Sequence, residues 1–317
     1  NKILNWYDIN KRSLPWRKRF SLKKKQYYTL VSEFMLQQTQ VTTVIPYFNR
    51  FIKNIPDLET LANFDEQKLI KFWEGLGYYS RVRNLKKTAQ VIVKDFNKKL
   101  PSNFLELKSL PGIGDYTASA ISAIAFNKPL IPLDGNVERV LKRYLYLKKK
   151  NLIQKENLIK QKKIFGTSRR SSDYAQALME LGALICKPNN PLCAKCPISR
   201  KCTSFIKKDF TLTKITKKNK DKYFLLKVYK KNNKYLLVKN DKFKFLKNLN
   251  IFPMTELIKP KNFKQNINFK MSNMNMSVKI EHNKIIKAIP FSYWIDPKNL
   301  KNYTLPTFTK KIVEYLE

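Results

Sequence analysis

Several residue types that enzymes use in their active sites are scarce in this sequence. Among 317 residues there is one histidine, His282, which excludes histidine-based triads and metal sites built from several histidines. Acidic residues are also few, with 23 Asp and Glu against 64 Lys and Arg, a formal net charge of +41. This imbalance favours a polyanion as partner, nucleic acid before an anionic membrane. Lys, Asn and Ile are abundant throughout, as an A/T-rich genome would give, so the charge supports nucleic-acid binding without establishing it.

Long apolar runs are missing as well. No stretch approaches the roughly twenty apolar residues that a membrane span requires, and the N-terminal residues do not resemble the apolar core of a signal peptide. We therefore expect an intracellular, cytoplasmic protein, associated with the nucleoid, that has no membrane partner and acts as a monomer.

Glycine is rare, and none of the seven glycines follows Gly182. Gly112 and Gly114 stand in the motif LPGIG, directly before a segment with apolar or small residues at helical spacing: Ala118, Ile121, Ile124 and Ala125. This spacing predicts a helix with one buried stripe. Glycines at the start of a helix let the backbone approach another molecule closely, and the helix dipole favours a phosphate there.

A carboxylate follows this hairpin about twenty residues later. Asp134 precedes Gly135 and Asn136 at the predicted start of a second helix. One interpretation is a phosphate-binding hairpin and a functional carboxylate on one supersecondary unit. The alternative is an ordinary connection between helices in which Asp134 serves as an N-cap, a position that aspartate favours.

A second carboxyl is isolated in an apolar segment. Glu33 is the only charged residue between Lys25 and Arg50, and Leu30 and Leu36 are its neighbours at helical spacing. Burial raises the pKa of a carboxyl, so Glu33 could stay protonated near neutral pH, as a general acid must. The uncharged polar residues that follow could contact base edges or fill the space left by an extruded base. The alternative is an amphipathic helix with one partly exposed glutamate.

All four cysteines fall within 17 residues in the pattern C-x6-C-x2-C-x5-C: Cys186, Cys193, Cys196 and Cys202. Four thiolates this close can hold a [4Fe–4S] cluster or a structural zinc ion, and the spacing alone leaves both open. Two disulfides are not expected in a reducing compartment.

The remaining segments differ in composition and in the pattern of their apolar residues. Residues 148–163 are rich in lysine and are interpreted as a solvated helix, and residues 203–222 are polar and read as a linker. From Tyr223 onward, YFLLKVY, KYLLVK and SVKIEHNKIIKAIPFSYW alternate or run apolar at strand length. A mainly helical first part followed by a smaller part with β-strands is therefore predicted.

Five segments resemble one protein family, in order and at fitting distances: SEFMLQQTQVTTVIPYFNRF, LGYYSRVRNL, LPGIGDYTASAISAIAF, DGNVERVLKR and QALMELGALIC. They are similar to the adenine DNA glycosylases of the MutY family, densely from Trp6 to Cys202 and weakly beyond. The resemblance implies a mainly α, helix-hairpin-helix glycosylase domain at residues 1–202 with a [4Fe–4S] loop at 186–202. It further implies the linker at 203–222 and a smaller α+β, Nudix-like domain at 223–317 that recognises the opposing base.

The implied activity is hydrolysis of the N-glycosidic bond of adenine mispaired with 8-oxoguanine or guanine in double-stranded DNA, a step of base excision repair. Glu33 would be the acid, Asp134 would stabilise the cationic sugar, and Tyr116 and Asn136 would position the sugar and water. Tyr116 stands where bifunctional relatives carry a nucleophilic lysine, which implies a monofunctional enzyme. The residues implied in substrate or DNA binding are Trp16, Arg17, Gln37, Gln38, Thr39, Leu76, Tyr78, Gly112, Gly114, Gln176 and Ser272. Gln176 would begin the helix that leads to the cluster loop. Cys186, Cys193, Cys196 and Cys202 would hold the cluster.

The C-terminal part departs from the family pattern. FLKNLNIFP matches the family's Gly-Leu-Trp-Glu-Phe-Pro segment in outline only, and no phosphohydrolase box is present, so this domain should bind and not hydrolyse. Ser272 matches the family's Phe-Ser-His loop, whereas Met271 and Asn273 replace its aromatic residue and its histidine. Two alternatives stay open: a glycosylase of the same fold for another mismatched base, and a non-catalytic iron–sulfur protein that binds DNA.

Overall fold

A computed structural model describes residues 2–147, 169–211, 219–258, 260, 262–271, 274–284 and 289–317. Three predicted features lie outside the described residues: the solvated helix at 148–163, residues 212–218 of the linker, and the pair Ser272 and Asn273. Within the described part, no helix is long and apolar enough to cross a membrane.

The described α-helices, in chain order, are α1 Lys2–Asn10, α2 Leu22–Leu36, α3 Val41–Asn54, α4 Leu58–Asn63, α5 Glu66–Phe72, α6 Ser80–Asp95, α7 Phe104–Ser109, α8 Asp115–Phe126, α9 Gly135–Leu145, α10 Ser171–Glu180, α11 Thr203–Ile206 and α12 Thr307–Leu316. A π-helical turn, Leu181–Ile185, continues α10. The described strands are β1 Lys220–Val228, β2 Lys230–Lys231, β3 Lys234–Lys239, β4 Asn250–Ile251, β5 Met254–Leu257, β6 Ile267–Met271, β7 Met274–His282 and β8 Ser292–Ile295.

The chain divides into two compact units. The helical unit comprises Asn1–Phe64 and Arg81–Ile215, and the sheet unit comprises Asp65–Ser80 and Thr216–Glu317. A mainly helical first part and a smaller part with sheets were both predicted, and both are observed. The domain bounds drawn from the sequence stay a prediction.

Helix α2 forms the centre of the helical unit. Its residues Leu30, Val31, Phe34 and Met35 have no exposed surface, and it packs against α3 and α8. Helix α8 follows the Gly112–Gly114 hairpin as predicted, but the expectation of a single buried stripe was wrong. Most of its residues are buried because α2, α7 and α10 pack around it, which suits its many small side chains.

A second cluster joins α1, α9 and α10 around Tyr7, Val137, Leu141, Tyr174 and Leu178. Because the apolar face of α9 is buried here, the start of α9 is held in a defined position relative to α10. This arrangement determines where the carboxylate of Asp134 lies.

The sheet unit contains two four-stranded sheets among the described residues. One has the order β5-β1-β7-β6, with β1 and β7 parallel in the register Lys220↔Met274. The other has the order β2-β3-β4, with β8 also paired to β3. A core that includes Phe224, Leu237, Phe252 and Val278 lies beneath Phe308, Ile312 and Val313 of α12. The three apolar segments predicted as strands all contribute strands.

Candidate active site

A pocket of about 780 Å³ in the helical unit brings together residues from separate segments of the chain. The residues predicted from sequence that line it are Trp16, Arg17, Glu33, Gln37, Gln38, Thr39, Gly112, Gly114, Tyr116, Asp134, Asn136 and Gln176. Both carboxylates predicted from the sequence therefore share one concave site.

Glu33 is a buried carboxyl at the base of this pocket. The side chain belongs to α2, and the residue is 5% exposed. Burial raises the pKa of Glu33 to about 7, although a hydrogen bond from the Tyr116 hydroxyl to Oε2, 3.0 Å long, opposes the rise. The nearby charge of Asp134 raises this pKa further, and Arg17 lowers it. Glu33 is therefore partly protonated near neutral pH, as a general acid requires.

Tyr116 lies in the first turn of α8. Burial raises the pKa of its phenol well above the ordinary value, and the charges of Glu33 and Asp134 act in the same direction. The hydroxyl is consequently neutral, donates a hydrogen bond to the glutamate, and is no nucleophile under ordinary conditions.

Asp134 is the N-cap of α9, as one interpretation of the sequence predicted, and its side chain also lines the pocket. Its Oδ1 accepts from the backbone N–H of Asn136 at 3.0 Å and of Val137 at 2.7 Å. Its Oδ2 accepts from the Asn136 amide at 2.9 Å. These donors and the N-terminal end of α9 stabilise a negative charge at the pocket wall.

The Asn136 amide is held from its other side by Arg139. Arg139 Nη2 donates to Asn136 Oδ1 at 2.8 Å and to the Gly182 carbonyl at 2.7 Å, and its Nε donates to the Cys186 carbonyl at 2.7 Å. The π-helical turn approaches so closely that a Cβ on Gly182 would lie 2.6 Å from the Cβ of Asn136. Glycine is therefore required at position 182 for this packing.

Glu180 and Arg12 are pocket residues that the sequence did not single out. Both oxygens of Glu180 accept hydrogen bonds of 2.8 Å from Arg12, and Oε1 accepts another of 2.8 Å from Arg17. Burial opposes ionisation, yet the two guanidinium groups hold the pKa of Glu180 below its ordinary value. The available signal was its position four residues after Gln176, which places both side chains on one face of α10.

The hairpin beside the pocket has the predicted geometry for close approach. Gly112 and Gly114 are exposed, whereas Ile113 between them is buried. Gly112 has a φ of +76°, and a Cβ there would lie 2.7 Å from the Cβ of Asn84. The exposed Gln38, which also lines the pocket, has a φ of 56°. The backbone can thus reach a ligand at the hairpin, and the Gln37 amide nitrogen lies 3.5 Å from the Gly112 carbonyl oxygen.

Four predicted binding residues lie outside the pocket, lie outside the described residues or differ in detail from the prediction. Leu76 and Tyr78 belong to the sheet unit, where Leu76 is 5% exposed and Tyr78 is 45% exposed. Gln176 lies in the second half of α10, so the expectation that it begins this helix was wrong; the helix begins at Ser171. Ser272 lies outside the described residues.

The four cysteines lie together after the π-helical turn, in one loop of the helical unit. All are free and half-buried. Burial raises the pKa of the Cys196 thiol to about 11, and the other three cysteines add to the rise. In the part of the chain that the structure describes, no three His, Cys, Asp or Glu side chains are placed to hold a single metal ion.

Arg143 holds this loop against α9. Its Nη1 donates to the Lys187 carbonyl at 2.6 Å, its Nη2 donates to the Pro188 carbonyl at 2.7 Å, and Nη1 lies 3.5 Å from Cys186 Sγ. A buried cation beside the thiols would stabilise thiolates, so the donor set and its surroundings fit a thiolate-bound metal cluster.

Comparison with known proteins identifies the family to which the chain belongs. Residues 31–163 match the family described as "HhH-GPD superfamily base excision DNA repair protein". The "Adenine DNA glycosylase" of Buchnera aphidicola subsp. Baizongia pistaciae is 41% identical over 240 residues, which cover 74% of this chain and 67% of that protein. The protein of the same description from Buchnera aphidicola subsp. Acyrthosiphon pisum is 34% identical over 98% of this chain and 95% of its own length.

A solved structure shares the fold of the helical part. It is that of a thermostable thymine-DNA glycosylase, with a TM-score of 0.59, 27% identity and coverage of 65% of this chain and 94% of that one. The match of sequence to the Acyrthosiphon pisum relative extends over nearly the whole chain, and the pocket contains a buried glutamate, the N-cap aspartate and the glycine hairpin. The chain belongs to the adenine DNA glycosylase family within the HhH-GPD superfamily of base excision DNA repair proteins.

Proposed function

We propose that this protein hydrolyses the N-glycosidic bond of adenine in double-stranded DNA, where adenine is mispaired with 8-oxoguanine or guanine. One observation carries the proposal: a buried acid with a raised pKa, Glu33, shares a pocket with a hydrogen-bonded carboxylate, Asp134. Because their surroundings differ, one carboxyl group can serve as the proton donor while the other stabilises positive charge. The family supports adenine as the base that is removed.

The adenine must leave the base stack before its glycosidic bond can be reached. The exposed backbone at Gly112 and Gly114 suits contact with a DNA phosphate, and Gln38 is our candidate for the space that the base vacates. Gln37 and Thr39 flank it, and we also propose Leu76 and Tyr78 of the sheet unit as DNA contacts. Among these, Tyr78 offers an exposed ring.

In the pocket, protonated Glu33 transfers its proton to a ring nitrogen of adenine while the bond from that base to the sugar breaks. The sugar becomes an oxocarbenium-like cation, which the carboxylate of Asp134 stabilises. A water molecule then adds to the anomeric carbon and gives a proton to the ionised Glu33, which restores the acid. Tyr116 and Asn136 keep the two carboxyl groups oriented through the hydrogen bonds described above.

Strand cleavage is not part of this mechanism. A bifunctional enzyme needs an amine that attacks the sugar and forms a Schiff base. At the matching position this chain has Tyr116, whose phenol is held neutral by burial. The products are therefore free adenine and DNA with an abasic site.

We assign recognition of adenine to the part of the pocket that Arg17 lines. The Arg17 guanidinium lines this wall and is a donor for the base, and the fully buried carboxylate of Glu180 holds it there by accepting from Arg17 Nη1 at 2.8 Å. Trp16 and Gln176 contribute an apolar ring and an amide to the same wall.

We propose that the four cysteines hold a [4Fe–4S] cluster, which would stabilise the loop and present it to DNA. The spacing of the cysteines is compatible with a zinc ion or a cluster, and the similarity of this loop to the family's cluster loop favours the four-iron cluster. The purified protein should contain about four iron atoms and absorb visible light. Replacing Cys196 by Ser should remove both, whereas zinc without iron would refute the cluster.

For the sheet unit we propose recognition of the base opposite adenine, through a Nudix-like fold in which Ser272 contacts that base. Two sheets packed on a helix and the similarity of the chain to a whole relative support this role. The domain bounds proposed are residues 1–202, 203–222 and 223–317. Because its proposed substrate is DNA, we also propose that the protein works inside the cell.

The decisive experiment is single-turnover release of adenine from duplexes that place 8-oxoguanine, guanine or thymine opposite it. Wild type should release adenine opposite 8-oxoguanine and guanine, and Glu33→Gln should abolish release while DNA binding persists. Glu138→Gln is the matched control, because Glu138 forms a partly buried ion pair with Lys142 and does not line the pocket. Release of thymine or uracil instead of adenine would indicate another glycosylase. DNA binding without release of any base would indicate a binding protein.

A further inference from the structure

A buried arginine at the start of α6 contacts the end of the helix that carries the proposed acid. Arg81 is 6% exposed. Its Nη1 donates to three backbone carbonyls: those of Phe34 at 3.2 Å, Met35 at 2.7 Å and Gln37 at 2.5 Å. One guanidinium nitrogen therefore lies at the point where α2 ends.

The carbonyls that Arg81 contacts need a partner. The last four carbonyls of a helix have no donor within the helix, and buried carbonyls without donors are costly. The Leu36 carbonyl is satisfied by the N–H of Thr39 at 3.2 Å, and Arg81 satisfies the Phe34 and Met35 carbonyls. A cation at this end of a helix is also favoured by the helix dipole.

The segment that Arg81 caps is part of the pocket. Glu33 lies in the last turn of α2, and Gln37 and Gln38 follow it at the rim. The Gln37 side chain donates to Thr117 Oγ1 of α8 at 3.3 Å. Unwinding at the end of α2 would therefore move the acid and the polar rim together.

The same face of α6 supports the glycine hairpin. Asn84, three residues after Arg81, lies so close to Gly112 that no Cβ fits between them. Thr88, one turn later, donates to the Pro111 carbonyl at 2.7 Å. Helix α6 thus contacts the proposed phosphate-binding hairpin through Asn84 and Thr88, and the end of α2 through Arg81.

We propose that Arg81 is a positioning residue for base excision. From a helix that also supports the hairpin, it fixes the C-terminal end of α2, so that the phosphate contact, the rim glutamines and Glu33 form one rigid frame. Arg81 touches no substrate and acts through these groups. This inference rests on the proposed release of adenine.

Removing the guanidinium should change the surroundings of the acid. Without Arg81, the last turn of α2 can unwind and admit water to Glu33. Because burial is the main cause of the raised pKa of Glu33, water would lower that pKa. The other groups that affect the pKa of Glu33 are Tyr116, Asp134 and Arg17, and all three remain present in the Arg81 variants.

The test compares Arg81→Met, Arg81→Lys and the control Lys87→Met in single-turnover adenine release at saturating enzyme, over a range of pH. Lys87 is an exposed cation on the same helix. Arg81→Met should lower the rate constant roughly tenfold or more, since it removes a charged donor shared by three carbonyls. It should also lower the pH at which the rate falls. Arg81→Lys should recover part of both effects, and Lys87→Met should leave the rate constant unchanged.

Hydrogen exchange over residues 36–42 gives a second measurement, independent of activity. Arg81→Met should speed exchange there, and Arg81→Lys should do so less. If Arg81→Met does not fold, the comparison of Arg81→Lys with wild type decides by the same two measurements. A wild-type rate constant and pH profile, with only a lower melting temperature, would overturn the proposal. If the wild-type protein releases no adenine, the proposed function fails, and hydrogen exchange alone then tests the role of Arg81. Unaltered exchange in the Arg81 variants would overturn the proposal that Arg81 fixes the end of α2.

Discussion

Replacing Glu33 by Gln should stabilise the folded protein above neutral pH while it abolishes adenine release. The reason is that a buried carboxyl must ionise at high pH in a site that disfavours the charge. Glutamine has nearly the same shape, carries no charge and can still accept the hydrogen bond from Tyr116. The burial that suits Glu33 to donate a proton is therefore expected to lower the free energy of unfolding of the wild-type protein at high pH.

The size of the effect follows from the pKa of Glu33, which burial raises from 4.5 to about 7. One pKa unit corresponds to about 1.4 kcal/mol, so the ionised carboxylate costs about 3 kcal/mol in the folded chain. At roughly 2–4 °C per kcal/mol, Glu33→Gln should melt several degrees higher than wild type at alkaline pH.

Whether the free energy of unfolding rises or falls with pH depends on whether the folded or the unfolded chain binds the proton of Glu33 more tightly. Below pH 4.5 the carboxyl is protonated in both the folded and the unfolded chain. Between 4.5 and about 7 the folded chain keeps a proton that the unfolded chain has lost, so the free energy of unfolding decreases as pH rises. Above about 7 the whole cost is present.

The assay is urea denaturation of wild type and Glu33→Gln at about pH 5 and about pH 8.5, compared as a difference between the two proteins. The difference should grow with pH. Glu138→Gln removes a partly exposed carboxylate paired with Lys142, and it should change the free energy of unfolding by about 1 kcal/mol at most, and by the same amount at both pH values. An equal difference between Glu33→Gln and wild type at both pH values would refute the buried, protonated acid.

Three further predictions concern the surroundings of the acid. Tyr116→Phe removes the donor that stabilises ionised Glu33, so the pH at which adenine release slows should rise, measured as a pH–rate profile; a lower value would contradict this. Gly182→Ala pushes a methyl group into the first turn of α9, which should lower the single-turnover rate roughly tenfold with little change in DNA affinity. Arg12→Met removes two of the three hydrogen bonds to Glu180; the pKa of Glu180 should rise and KM for adenine-containing DNA should increase, whereas an unchanged KM would contradict its role.

Much of the site could be predicted from sequence because its signals are local. The glycines before α8, the capping carboxylate of Asp134 and the spacing of the four cysteines each depend on residues close in the chain. Such patterns report backbone conformation and ligand type directly. The family resemblance then indicated Glu33 as the acid, and the family itself is confirmed by the comparisons.

The sequence missed the contacts that join distant segments. Glu180 and Arg12 are separated by 168 positions, and nothing in their neighbourhoods indicates that they meet. The cap that Arg81 places on α2, 46 positions from Met35, is equally hidden. The buried stripe expected on α8 was too narrow, because three helices surround it.

By itself the sequence determined the order of the elements, the helix caps, the turns that need glycine and the types of ligand available. Only the tertiary structure decided that Glu33 is buried beside Tyr116, 83 positions away, and that β1 pairs in parallel with β7. Periodicity states which face of a helix or strand is apolar but not what covers it. Because the proton affinity of Glu33 is set mainly by what covers it, the chemistry of the pocket depends on the packing of the whole helical unit.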